Sequence, residues 1–233
     1  MTWKMATLLS LTAAVGACAA TPRPATPRPA APTTRPTTRP TTVSAAGNAK
    51  EIQLFDGKTL TNWKSSAFGG EGEVGVENGQ IVVHAGATLS GVSWTGPALP
   101  TENYEIELDA MKLSGSDFFV GLTFPYKKDC ASIILGGWGG SLVGISSVNG
   151  NDAANNEWST ARDFKRNVWY HLRLRCTGEK IQAWLNKDEE PFLDLDTTDK
   201  QISTRSDIDD AKPLGLTTYQ TAAAYKNITL RKL

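Results

Sequence analysis

Hydrophobic and polar residues alternate with a period of two along most of residues 51–233. In YEIELDAMKL, Tyr104, Ile106 and Leu108 fall on one side, and the acidic residues between them fall on the other. This alternation is typical of an antiparallel strand with one buried face. IQAWL repeats it at residues 181–185. No segment has the spacing of an amphipathic helix, so the pattern predicts an all-β domain.

Turn residues separate these segments at short intervals. Asn78-Gly79 stands between VGVE and QIVV, and Thr177-Gly178 stands between HLRLRC and EKIQAWL. Asn-Gly is a strong hairpin signal, because both residues adopt the backbone that a two-residue turn requires. About ten or more short strands joined in this way predict a β-sandwich or jelly roll.

The first 50 residues differ from this pattern. Lys4 precedes an apolar run too short to span a membrane, and the small residues before Cys18 resemble the lipobox of bacterial lipoproteins. We therefore predict a signal peptide over residues 1–17 and a lipid anchor on Cys18. The anchor is the only membrane contact that we expect. It would place the protein at the outer membrane or on the periplasmic side of the cell envelope. Cleavage near Ala20, which would release the protein, is the alternative. Residues 18–50 contain seven of the 12 prolines and predict a disordered linker.

Charge and cysteine content describe the remaining domain. Six of the 24 basic residues and none of the 24 acidic ones lie in residues 1–50, so residues 51–233 carry a net charge of about −6. Nucleic-acid binders are basic, and we expect no nucleic-acid partner. Cys130 and Cys176 either form a disulfide or are both buried thiols, and the tendency of lone cysteines to be buried favours thiols.

Four segments carry a family resemblance: LFDGKTLTNW (54–63), VENGQIVV (76–83), YEIELDAMKLSGSDFFVGLTF (104–124) and AYKNITLRKL (224–233). Together they resemble the 3-keto-disaccharide hydrolases, also described as 3-keto-glucoside 1,2-lyase/3-keto-2-hydroxy-glucal hydratases. The resemblance implies a concanavalin A-like jelly roll over residues 51–233. It also implies a hydrolase or lyase that abstracts a C2 proton and eliminates the C1 oxygen of a 3-keto-glycoside. Many members have a Gln-x-His-Gly run before the last strand, where this chain has TTYQTAAAY, with Tyr219 and Gln220 nearest to that position.

Such a reaction needs a base near C2, a donor at the C3 oxygen and an acid for the leaving group. Asp117 is the first candidate, because it precedes the otherwise apolar FFVGLTF. Extending the strand alternation backwards places it with Phe119 on a face opposite Phe118. An Asp at a solvated strand end is the alternative reading.

The stretch GGWGG surrounds Trp138 with glycines. Bare glycines would open a groove, and the indole could then stack on the apolar face of a sugar ring. The alternative is a tight hairpin with Trp138 packed on the core. Neither interpretation is fixed by the sequence.

The loop VNGNDAANNEW supplies the second catalytic candidate, Glu157. Asp152, Asn156 and Glu157 together are oxygen ligands of the kind that suit Ca²⁺ or another divalent cation. A solvated turn is the alternative, because Asn and Asp dominate turns for local backbone reasons.

The sequence thus predicts a carbohydrate ligand, with Asp117 and Glu157 as catalytic residues. The predicted substrate-binding residues are Trp138, Tyr126, Asn155 and Gln220. A noncatalytic carbohydrate-binding or adhesion module is the alternative function, and a structural envelope protein is a third. No Gly-x-Ser-x-Gly, His-Glu-x-x-His, phosphate loop or Cys-x-x-Cys occurs, which leaves serine hydrolase, zincin, nucleotide and redox chemistry without a motif.

Overall fold

A computed structural model describes residues 51–233. The predicted signal peptide (1–17), the lipidated Cys18 and the linker (18–50) lie outside the described residues. Within the described range the chain forms strands β1 (Glu51–Gln53), β2 (Trp63–Ser65), β3 (Val74–Glu77), β4 (Gln80–Val83), β5 (Leu89–Trp94), β6 (Tyr104–Lys112), β7 (Val120–Tyr126), β8 (Asp129–Gly137), β9 (Leu142–Ser146), β10 (Ser159–Ala161), β11 (Trp169–Cys176), β12 (Lys180–Leu185), β13 (Leu193–Asp196), the short 3₁₀-helix η1 (Ser206–Ala211), β14 (Gly215–Tyr219) and β15 (Ala223–Lys232).

The strands form two antiparallel sheets. Sheet A has the order β13-β12-β11-β6-β15-β4-β3, with β1 also paired with β15. Sheet B has the order β10-β9-β8-β7-β14-β5-β2. Their inner faces share one hydrophobic core, so the domain is the predicted all-β jelly-roll sandwich. In the described part of the chain, no helix has the length and hydrophobicity that a membrane crossing requires.

The alternation seen in the sequence decides which side chains fill the core. In β6, Tyr104, Ile106 and Leu108 are fully buried between the sheets. Glu105 lies on the outer face, and it is buried there because Arg175 and Arg231 both bind its carboxylate. The predicted strand pattern is therefore confirmed in both directions.

The predicted hairpin at Asn78-Gly79 is also confirmed, between β3 and β4. Asn78 has a φ of +49° and Gly79 a φ of +79°. Positive φ at both central residues is the signature of a type I′ turn, which matches the twist of the two strands it joins. Thr177 begins the turn between β11 and β12, where its amide donates to the carbonyl of Lys180 at 2.9 Å.

Cys130 and Cys176 are free thiols, and both are buried. This confirms the interpretation that burial favoured. Burial raises the pKa of the Cys130 thiol to about 11 and that of the Cys176 thiol to about 12. The thiolate is the nucleophile, so both side chains are chemically inert at neutral pH.

We expect Cys130 and Cys176 to stay unmodified when the folded protein is treated with iodoacetamide at pH 8. At that pH only about a thousandth or less of each thiol is ionised, and both are enclosed. Peptide mass spectrometry should find both alkylated after treatment in denaturant. Rapid labelling of either cysteine in the folded chain would contradict the burial described here.

Candidate functional site

The outer face of sheet B, opposite the core, is built from small residues. Cross-strand partners share a face of a sheet, and the register of β5, β14, β7, β8 and β9 brings glycines, serines and threonines together there. These residues are Gly91, Ser93, Gly121, Thr123, Ser132, Gly144, Ser146, Gly215 and Thr217. Small side chains leave space above the sheet that larger ones would fill.

The helix η1 covers one part of this face. Its residues Ile208 and Ala211 are buried, and the carbonyl of Ala211 lies 2.5 Å from where a side chain on Gly215 would begin. Any residue larger than glycine at position 215 would therefore push η1 away from the sheet. The hydroxyl of Ser93 donates to the carbonyl of Asp210 at 2.5 Å and fixes the helix further.

Beside η1 a cavity of about 370 Å³ opens onto the face, a volume within the range of small-molecule sites. It is lined by Leu89, Asp117, Phe118, Ile134, Trp138, Ser146, Arg205, Asp207, Ile208 and Tyr219. The structure thus brings Asp117 and Trp138, two of the residues singled out in the sequence, to one cavity.

Trp138 lies in the tight turn between β8 and β9. The amide of Gly140 donates to the carbonyl of Gly137 at 3.2 Å, which closes the turn around Trp138 and Gly139. Both central residues have positive φ, +46° and +89°, as in a type I′ turn. The hairpin is present, but the indole is 44% exposed rather than packed on the core. The glycines therefore make the turn that presents Trp138 at the cavity rim.

Tryptophan is a poor residue for the first central position of this turn. Positive φ costs a residue with a Cβ roughly 1 kcal/mol or more, whereas Asn tolerates it and Asn-Gly is the preferred pair. We expect Trp138→Asn to raise the free energy of unfolding by about 1 kcal/mol, measured by urea denaturation. A variant that is less stable than the parent would show that the indole contributes packing that its exposure does not suggest.

The carboxylate of Asp117 fixes this turn from the neighbouring segment. It accepts a hydrogen bond from the amide of Gly139 at 3.1 Å and another from the amide of Phe118 at 2.8 Å. The Lys112 side chain, which is 4% exposed, approaches the same turn at Gly140. Burial and the nearby Arg166 lower the pKa of the Lys112 ammonium, and the charge of Asp117 acts in the opposite direction.

Arg205 and Asp207 form the polar side of the cavity. The Arg205 guanidinium contacts Asp207 at 3.0 Å and Asp152 at 2.9 Å. The pKa of the Arg205 guanidinium is raised, mainly by its hydrogen bond to Asp207 and also by the charges of both carboxylates. The two carboxylates hold the guanidinium in place, and a fixed cation of this kind suits a ligand oxygen that gains negative charge.

Aromatic side chains form a third part of the wall. The rings of Phe118 and Tyr219 lie 6.2 Å apart between centroids at an angle of 33°. A wall of aromatic rings with a few polar groups is typical of sites that hold a ring-shaped ligand.

Two expectations about faces were wrong. Tyr126 does not line the cavity; it is 4% exposed in the core and donates its hydroxyl to Thr197 at 2.6 Å. Phe119 is also in the core, while Phe118 faces the cavity. The physical reason for the second error is that β7 begins only at Val120, so strict alternation does not extend back through the irregular residues before it.

The remaining sequence candidates lie outside the cavity. Glu157 is exposed in its loop. Asn155 is exposed and donates to Asp152 at 2.8 Å. Gln220 is exposed and donates its side-chain amide to the carbonyl of Ala87 at 2.9 Å. None of the three is among the residues that line the cavity.

The proposed metal ligands Asp152, Asn156 and Glu157 are used differently. Asp152 is paired with Arg205, and the amide of Asn156 donates to the carbonyls of Asp152 and Ile145 at 2.8 and 2.9 Å. Within residues 51–233 there is no group of three or more His, Cys, Asp or Glu side chains that could hold a metal ion. The expected metal site in this loop is therefore wrong, because Arg205 neutralises the carboxylate of Asp152, its best ligand.

Sequence reasoning did not find Arg205, Asp207, Ile208 or Ser146. The stretch RSDIDD looks like an ordinary solvated turn, and nothing local shows that it folds over a sheet face. Ser146 is one of many serines in short strands. A weak signal existed in the accumulation of glycine, serine and threonine at alternate positions of several strands, which suggests a face without bulky side chains.

Solved structures of low sequence identity have a similar fold. The laminarinase from Flavobacterium sp. UMI-01 is 14% identical, the match covers 78% of this chain and 98% of that one, and the TM-score is 0.50. The Crh5 transglycosylase is 10% identical, the match covers 80% of this chain and 85% of that one, and the TM-score is 0.52. The carbohydrate-binding module CBM66 from Bacillus subtilis is 15% identical, the match covers 73% of this chain and 96% of that one, and the TM-score is 0.43. At these identities the laminarinase and the transglycosylase show the sandwich fold alone and nothing about activity. A search of curated proteins found no match.

The family comparison is more informative. The sequence model of the family described as the 3-keto-alpha-glucoside-1,2-lyase-like domain matches residues 50–231, which is nearly the whole described domain. This confirms the resemblance drawn from the four sequence segments. The chain belongs to the family of 3-keto-alpha-glucoside-1,2-lyase-like domains, a carbohydrate-active family.

Proposed function

We propose that the domain cleaves 3-keto-α-glucosides by β-elimination at the cavity on sheet B. The observation that carries the proposal is the convergence of a carboxylate, an arginine and two kinds of aromatic side chain on one cavity: Asp117, Arg205, Trp138 and Tyr219 all line it. Each matches one requirement of the reaction. The family description supplies the substrate class.

The carboxylate of Asp117 acts as the general base. It takes the proton from C2, which the adjacent C3 carbonyl acidifies, and the electron pair left on C2 forms the C1–C2 double bond. The bond between C1 and the glycosidic oxygen breaks, and that oxygen leaves with a proton. Addition of water to the resulting 3-keto-2-hydroxy-glucal, with a proton returned to C2 and hydroxide to C1, gives the free 3-keto-glucose.

Arg205 stabilises the charge that develops during proton removal. As C2 is deprotonated, negative charge moves onto the C3 oxygen, and a guanidinium held in place by two carboxylates stabilises that charge without having to reorganise. The hydroxyl of Tyr219 is the donor for the leaving oxygen. Trp138 stacks on the apolar face of the ring and orients C2 toward the carboxylate.

The test is incubation of the full chain with methyl 3-keto-α-glucoside, with and without chelator, while methanol release is followed. We expect release well above the rate of spontaneous elimination in the same buffer. Equal rates with and without chelator would support catalysis by side chains alone. Release no faster than in buffer would contradict the proposed activity.

A noncatalytic carbohydrate-binding module is the second candidate. The observation that favours it is that Asp207, one of the two cavity carboxylates, is bound by Arg205 through both Nε and Nη2. Asp117 is then the one lining carboxylate left to transfer protons, and aromatic walls alone suffice for binding. Sugar affinity measured by calorimetry together with no release above the spontaneous rate would favour this function.

A further inference from the structure

A row of hydroxyl side chains crosses the face of sheet B beneath the cavity and η1. Ser146 of β9 is the partner of Ser132 in β8, and Ser132 is the partner of Thr123 in β7. Gly215 of β14 separates Thr123 from Ser93 in β5. We call these four residues the hydroxyl row: Ser93, Thr123, Ser132 and Ser146. All four are buried.

Three members of the hydroxyl row are satisfied within the protein. Thr123 and Ser132 share a hydrogen bond at 3.0 Å. Ser93 bonds to Ser66 and to the carbonyl of Asp210, each at 2.5 Å. Ser146 differs, because its Oγ has no hydrogen-bond partner among residues 51–233 although the residue is only 1% exposed.

Ser146 is also the member of the row that lines the cavity. Its neighbours there include Ile134 and Ile208, which offer no polar side-chain atom. A buried hydroxyl without a partner is unfavourable, and because this one borders the cavity, a ligand hydroxyl or a water there can supply the missing partner. The position is on the strand that forms the floor, below the rim where Trp138 stands.

We infer that Ser146 is a specificity-determining residue that hydrogen-bonds one hydroxyl of the bound sugar, on the ring edge that points to the sheet. This rests on the proposed carbohydrate function. A sugar that places a hydroxyl against Oγ satisfies it, and an analogue without that hydroxyl leaves it unpaired in a buried site. Sites built on a hydrogen bond reject such analogues more strongly than apolar pockets do.

Thr218 provides a matched control. Its Oγ1 is also buried without a partner, and the residue is fully buried. It is not among the residues that line the cavity. Thr218→Val and Ser146→Ala therefore remove the same kind of group from two places, only one of which faces a ligand.

The experiment measures binding rather than turnover, with full-length protein. The probes are methyl α-glucoside, which lacks the C3 carbonyl and is not eliminated, and its 2-, 4- and 6-deoxy analogues. We expect Ser146→Ala to bind methyl α-glucoside about 3- to 10-fold more weakly, as for loss of one neutral hydrogen bond. We expect the parent protein to bind one of the deoxy analogues more weakly than methyl α-glucoside by the same factor. Ser146→Ala should bind that analogue as tightly as the parent does. Thr218→Val should bind every probe like the parent.

The melting temperature provides a second readout. Neither substitution removes a protein hydrogen bond, so we expect neither to lower it. Unchanged affinity of Ser146→Ala for every probe, or an equal loss in Thr218→Val, would overturn the inference. Because binding is measured without elimination, coupling between Oγ and one sugar hydroxyl can be found even if the domain proves inactive on 3-keto-glucosides.

Discussion

Replacing Asp117 by asparagine should lower kcat/KM for a 3-keto-α-glucoside by about 10²- to 10⁴-fold, the range expected when a general base is lost. Asparagine has nearly the same shape and keeps one oxygen to accept a backbone amide, but it does not take a proton at neutral pH. The turn that carries Trp138 therefore keeps at least part of its anchor. Single-turnover and steady-state rates on methyl 3-keto-α-glucoside provide the measurement.

Asp207→Asn is the control for Asp117→Asn. Asp207 lines the same cavity, but it serves Arg205, so its amide variant should have a smaller effect through a less firmly held guanidinium. Affinity for methyl α-glucoside should change little in Asp117→Asn, which separates lost chemistry from lost binding. Turnover within threefold of the parent in Asp117→Asn would exclude this residue as the base.

The largest expected effect on stability comes from Phe119→Ala. Phe119 is fully buried and packs edge to face on Phe164, with ring centroids 5.0 Å apart, and against Tyr170 at 5.9 Å. Removing a buried phenyl ring eliminates its transfer free energy and leaves a cavity, which typically costs about 3–5 kcal/mol. Urea denaturation should show that loss as a lower midpoint with an unchanged slope.

Phe118→Ala is the matched variant at the adjacent position. Phe118 is partly exposed and faces the cavity on sheet B. We expect a stability loss of at most about 1 kcal/mol, because little packing is removed, together with weaker binding of methyl α-glucoside. Equal stability losses in the two variants would contradict the assignment of their faces.

Most of the fold could be predicted from the sequence because the alternation of hydrophobic and polar residues within each strand shows which of its side chains are buried. In β6 the alternation of Tyr104, Ile106 and Leu108 with acidic residues is produced by the core itself, so it is visible without any partner. Asn78-Gly79 likewise shows its turn through backbone preference alone. The faces of Phe118 and Phe119 were predicted wrongly because both precede the first residue of β7, where alternation no longer holds. Where a strand begins depends on its pairing with adjacent strands, which the local sequence does not show.

Fewer of the cavity residues could be predicted from the sequence, for a related reason. Asp117 and Trp138 were noticeable because each departs from the pattern around it, a carboxylate before an apolar strand and an indole among glycines. Arg205 and Ser146 do not depart from the pattern around them, and they line the cavity only because distant parts of the chain fold next to each other there. Tyr126 lies on the core face of β7 with Leu122 and Phe124, as the alternation of that strand indicates, and its hydroxyl, which suggested a polar site, is satisfied there by Thr197.

The position of β15 in sheet A has a consequence for how the domain is made. This strand comes last in the domain's sequence, yet it lies in the interior of the sheet, between β6 and β4, and it also pairs with β1. During synthesis the earlier strands of sheet A are therefore left with open edges until β15 has emerged from the ribosome. We expect the domain to fold late and in one step, with ribosome-bound chains that lack β15 remaining protease-sensitive, as suits a topology dominated by distant pairings.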